Sequence, residues 1–160
     1  MTDNEFITYW LERGQNVDSN DDLKDVFKFF CFFIAFNRLY EQHNGSQINR
    51  INTLIEKEFY NIKDDFNPFD NKILSKESEL IKTQVSDVRN GKRYYDSIEY
   101  GTISLDNYKN LIDNIYQVRC NLFHGSKEMT KRDKDLVRES ADVLESLIKC
   151  MIKRTVKVHK

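Results

Sequence analysis

Proline is nearly absent from this sequence, with one in 160 residues, and glycine is scarce at five. A chain this poor in corner residues does not suit the many tight turns of a β-sandwich or barrel, and it favours helices. Three cysteines, Cys31, Cys120 and Cys150, are widely spaced and odd in number. They read as reduced thiols of a cytoplasmic protein rather than as a disulfide framework. The acidic start, Met-Thr-Asp-Asn-Glu-Phe, lacks the apolar core of a secretion signal. The apolar run from Phe29 to Phe36 is eight residues long, far below the roughly 20 that cross a bilayer, so no membrane partner is expected. Only three histidines occur (His43, His124, His159), and no Cys or His has metal-ligand spacing. No glycine-rich phosphate loop follows a strand pattern. Neither a metal nor a cofactor is expected.

What is present is a soluble balance of apolar and charged residues, 39% and 32%, in a length that suits one domain over residues 1–160 with a real core. The net charge of −1 conceals a polarity. Residues 1–118 carry 14 basic and 20 acidic side chains, whereas residues 119–160 carry 11 and 6. Late Lys and Arg can complement a helix dipole, and they can also attract a polyanion.

Hydrophobic periodicity predicts an all-α fold, a compact antiparallel bundle of four core helices plus one or two short ones. A first helix is expected over Glu5 to Arg13, with Phe6, Tyr9 and Trp10 inward and Gly14 ending it. Ser19 and Asp22 have capping-box spacing ahead of a helix to about Gln42. Its unbroken apolar middle implies burial on all sides. Asn44-Gly45 reads as a turn, and Ser46 caps a helix to about Tyr60 with Ile48, Ile51, Leu54, Ile55 and Phe59 inward. Asp64 to Asn71 reads as a loop around Pro68. A fourth helix is expected over Lys76 to Arg89, stopped by Asn90-Gly91. Residues 92–102 have no clear pattern, and their three tyrosines suit loop packing better than base stacking. A fifth helix runs from Ser104 to Phe123, closed by Gly125 in the left-handed conformation. Thr130 and Asp133 cap a last helix to about Arg154, with Val137, Ala141, Leu144, Leu147, Ile148 and Met151 inward.

The fifth helix carries the chemistry. Its apolar stripe (Leu105, Tyr108, Ile112, Ile115, Leu122) continues onto Arg119, near the middle of the buried face. An unpartnered buried guanidinium costs several kcal/mol, roughly. Arg119 is therefore expected to face a carboxylate, a subunit interface or a wet cleft built for an anion. His124 follows five residues later. Its imidazole is the side chain that titrates near neutrality. Five residues turn an ideal helix by about 140°, so a shared cleft requires the helix to end near Phe123.

The string Gln117-Val118-Arg119-Cys120-Asn121-Leu122-Phe123-His124-Gly125-Ser126-Lys127 resembles the signature of HEPN domains. In these helical bundles an Arg is followed, after four to six residues, by a His at the end of the penultimate core helix. Ile34-Ala35-Phe36-Asn37-Arg38-Leu39-Tyr40 resembles the end of the long early helix in the Apea-like branch. The resemblance covers most of the chain, least well Glu56 to Thr102. Cys120 stands where the family commonly has a polar residue, and Asn121 comes one position later. The resemblance implies a metal-independent endoribonuclease that cuts RNA by 2′-hydroxyl attack, leaving a 2′,3′-cyclic phosphate. His124 would be general acid or base and Arg119 the phosphate-gripping catalytic cation, with Asn121, Lys127 and Asn37 as substrate-binding residues. It also implies a homodimer with both motifs in one cleft, and a toxin or antiviral defence effector held by an antitoxin or other regulator. The competing implications are a catalytically inactive RNA- or nucleotide-binding and dimerisation module, or a plain helical scaffold.

Overall fold

The apolar run of the sequence lies in helix α2 (Lys24–Tyr40), which is covered by α1 (Asp3–Gln15), α3 (Gln47–Ile62) and α6 (Lys131–Val158). The computed structural model describes the chain except for Ser19, Asp21, Asp22, Asn71, Ser126, Lys127, His159 and Lys160, and except for side chains from residue 155 onward. The described residues form an all-α helical bundle of six helices without a strand; α4 (Glu79–Lys82) and α5 (Leu105–His124) complete it. Phe29, Phe32, Phe36 and Tyr40 of α2 are fully buried, and they pack mostly edge-to-face. Burial is not complete around the helix. Ile34 is 37% exposed.

Local chemistry sets the ends. Thr2 and Glu5 form a reciprocal capping box, so α1 begins earlier than expected. Gly14 does not end α1. It is buried within the helix, where an added Cβ would lie 2.5 Å from the Phe32 ring, and the missing side chain lets α1 approach α2. The inward face of α1 is Ile7, Leu11 and Gly14; Phe6 and Trp10 are half-buried and Tyr9 is exposed. Leu23 occupies the N-cap position of α2 without a side-chain cap, and the expected Ser19–Asp22 box lies outside the described residues. Ser46 caps α3 through Asn49 N, and Thr130 and Asp133 cap α6 reciprocally at 3.0 and 3.1 Å. Every residue of the expected α6 stripe is buried.

The fourth helix is the main departure. Only Glu79–Lys82 is helical; Thr83 turns extended, and residues 83–104 cross α5 without regular structure. Three asparagines of α5, seven residues apart, replace the missing helical hydrogen bonds. Asn107 accepts from Glu99 N and donates to the Glu99 and Thr102 carbonyls, each at 2.8 Å. Asn114, fully buried, accepts from Val85 N at 2.9 Å and donates to the Asp96 carbonyl at 2.9 Å. Asn121 accepts from Val88 N at 3.2 Å and donates to the Ser86 carbonyl at 2.8 Å. Seven residues are nearly two helical turns, so all three amides share one face of α5. The start of α4 is held in the same manner by Glu139 of α6, whose carboxylate accepts from Glu79 N and Leu80 N.

Candidate functional site

Helix α5 remains regular through His124, and Gly125 follows in an extended conformation with φ −77° rather than left-handed. Space explains this glycine. A Cβ there would meet the Asn121 carbonyl at 2.9 Å. The helix thus does not end early enough to swing the two motif side chains together, and Arg119 and His124 leave it about 140° apart.

Arg119 is half-buried rather than sunk in the core. Its guanidinium lies over the Phe123 ring at 4.5 Å and within 5.8 Å of the Phe33 ring on α2. Among the described residues no carboxylate forms an ion pair with it. Of the three surroundings expected for this cation, the internal acid is therefore not the one found. Tyr40 lies in the same neighbourhood. Its hydroxyl is fully buried without a hydrogen-bond partner among the described residues. Burial pushes its pKa up to about 12 against the pull of Arg119 and Arg50. Asn37 is half-buried, one turn beyond Phe33 and one before Tyr40 on the same side of α2.

His124 is exposed at the other side of α5. It borders a largely apolar cavity of about 350 Å³ with Phe30, Leu122, Met129 and Val137; Arg119 does not line it. Asp87 lies on the His124 side. Hydrogen bonds from the Arg89 side chain and backbone, helped by the charges of Arg89 and His124, hold its carboxyl below the usual range. Asp87 Oδ2 accepts from Arg89 Nη2 at 2.9 Å.

The remaining expected site residues divide. Asn121 holds the crossing segment and also lines the cavity that His124 borders, and its carbonyl oxygen accepts from Gln117 at 2.9 Å. It holds backbone, a positioning role beside the substrate-binding one expected for it. Lys127 lies outside the described residues. Cys120 is half-buried. Burial and this neighbouring thiol both push the Tyr116 hydroxyl up. The Asp87–Arg89 pair and the Tyr40 hydroxyl were missed from sequence. The first carried a faint signal, since Arg89, Lys92 and Arg93 cluster around an Asn-Gly turn. The second carried none beyond its place after the phenylalanine run.

The described residues contain no group of three or more His, Cys, Asp or Glu placed to hold a metal ion, and no helix long and apolar enough to cross a membrane. No family model, curated protein or solved structure matches the chain.

Proposed function

We propose that this chain is a metal-independent endoribonuclease of the HEPN type, acting as a homodimer. The observation that supports it most is Arg119, a guanidinium laid on two aromatic faces with no ion-paired carboxylate among the described residues. Its N–H fork is left for an anion, and a phosphodiester offers two oxygens at matching spacing. Because His124 leaves the same helix in another direction, one chain supplies half of each pair. A second copy would supply the rest, with Arg119 of one protomer and His124 of the other meeting at one phosphate. Phe123, Phe27 and Ile34 are 61%, 45% and 37% exposed, and such apolar side chains suit burial between copies.

At that site one His124 takes the proton of the ribose 2′-hydroxyl as its oxygen attacks phosphorus. A proton from water goes to the departing 5′-oxygen. The P–O5′ bond breaks, leaving a 2′,3′-cyclic phosphate and a 5′-hydroxyl. The His124 step is worth about 10² to 10⁴ in rate, and charge stabilisation by Arg119 about 10² to 10³. The biological setting, a toxin or antiviral effector restrained by an antitoxin or other regulator, rests on the resemblance.

A second reading is favoured by one observation. Asn121 spends its amide oxygen and one amide N–H on the crossing segment, which suits a binding and dimerisation module without catalysis. Expression of the parent, Arg119→Ala and His124→Ala, with RNA cleavage measured in EDTA, separates the two. The nuclease reading expects cutting by the parent alone, unaffected by chelator. RNA binding without cutting favours the module, and activity restored only by a divalent ion defeats the mechanism.

A further inference from the structure

We infer that residues 87–94 form a guide for single-stranded RNA, a preset cationic loop with one stacking ring beside His124. The choice of RNA as occupant rests on the ribonuclease reading; the loop's construction does not.

The loop closes on itself. Asp87 N donates to the Lys92 carbonyl and Gly91 N donates to the Asp87 carbonyl, both at 2.7 Å. Gly91 takes φ +73°, a conformation that glycine adopts without strain. The Asp87 carboxylate accepts from Arg89 N, Nε and Nη2, which fixes where that guanidinium stands. Asn90 then uses both ends of its amide: its oxygen accepts from Lys92 N at 2.9 Å and its nitrogen donates to the Tyr94 hydroxyl at 2.8 Å. These bonds order the loop before any ligand arrives, which lowers the entropy cost of binding.

The loop is also fastened to the motif helix. Asn121 grips the backbone on both sides of Asp87, one helical turn before His124. Val88 borders the same cavity as His124, and the His124 charge reaches Asp87. What faces solvent is cationic and aromatic. Arg89 is 59% exposed, and Lys92 and Arg93 are exposed beside it. Only Asp87 opposes these three charges within the loop. Tyr94 is 55% exposed, whereas Tyr95 is half-buried and Tyr100 packs on Phe69 at 5.6 Å. Of the three tyrosines, Tyr94 alone offers an open face at a fixed orientation. Cations spaced along a strand with an aromatic platform between them are the elements of sequence-tolerant single-strand binding.

The test measures fluorescence anisotropy of a labelled 2′-O-methyl oligouridine, which cannot be cut through its own 2′-oxygen, with the full chain over a salt series. Tyr94→Leu is expected to weaken binding about tenfold. Lys92→Ala with Arg93→Ala is expected to flatten the plot of log affinity against log salt by about 1.4, two phosphate contacts. Circular dichroism confirms that these surface variants fold. Variants that bind like the parent, or a parent that binds no RNA, overturn the guide. If those variants nonetheless cut RNA normally, the nuclease reading survives without it. A parent that binds through the loop yet never cuts RNA supports the guide and removes the nuclease reading.

Discussion

The seam between α2 and α6 and the seam between α5 and residues 83–104 lie in one bundle but are held by different physics. The first joins two helices through apolar packing, with Phe29, Phe36, Leu144, Leu147 and Ile148 all fully buried. The second is stitched by three amides that substitute for backbone. Apolar contact tolerates small changes of shape and direction. Amide stitches fix direction, since each donor and acceptor has one place to go. The motif end of α5 and the basic loop belong to the second seam, where orientation is the useful property.

Three substitutions sharpen that contrast. The largest effect is expected from Phe36→Ala, which opens a cavity in the apolar seam and costs about 3 to 5 kcal/mol of global stability in urea unfolding. Asn114→Ala should cost about 3 kcal/mol, because it strands the buried Val85 N–H and removes the bond to the part-buried Asp96 carbonyl. Its signature is regional. Hydrogen exchange should accelerate over residues 83–102 while α2 and α6 stay protected. Equal acceleration in both seams would erase the distinction.

The smallest effect concerns Asp113, which is half-buried on α5 with Oδ1 unpartnered among the described residues. Burial raises its pKa from 3.8 to about 6. The folded state holds this proton more tightly than the unfolded chain, so the penalty is absent below about pH 4 and complete above about pH 6. Stability should therefore fall as pH rises through that window. Asp113→Asn should raise stability at pH 7.5 by about 1 to 2 kcal/mol, allowing for solvent screening, and give no gain at pH 4. Thermal melts at the two pH values check the sign.

How much was legible follows the same division. The stripes of α3 and α6 and the caps at Ser46 and Thr130 stand in the sequence because 3.6-residue periodicity and capping chemistry are local. The fourth helix was overextended because Leu80, Ile81, Val85 and Val88 keep helical spacing after the helix has ended. What ends it is an acceptor on Asn114, 29 residues away from Val85, and a window of neighbours cannot reveal that. The heptad spacing of Asn107, Asn114 and Asn121 stands in the sequence, but without the crossing segment it has no meaning. The separation of Arg119 from His124 could be calculated from sequence, and the regular helix realises it. The role of Asn121 could not, since it depends on which backbone lies opposite.

The most direct test mixes the two motif variants. Arg119→Ala and His124→Ala chains, each inactive alone, are co-purified as mixed dimers and assayed for RNA cleavage in EDTA. If each phosphate is shared by Arg119 of one copy and His124 of the other, the mixture recovers cutting well above either variant. A mixture as silent as its components, with dimers confirmed by light scattering and cutting by the parent intact, would contradict the shared site.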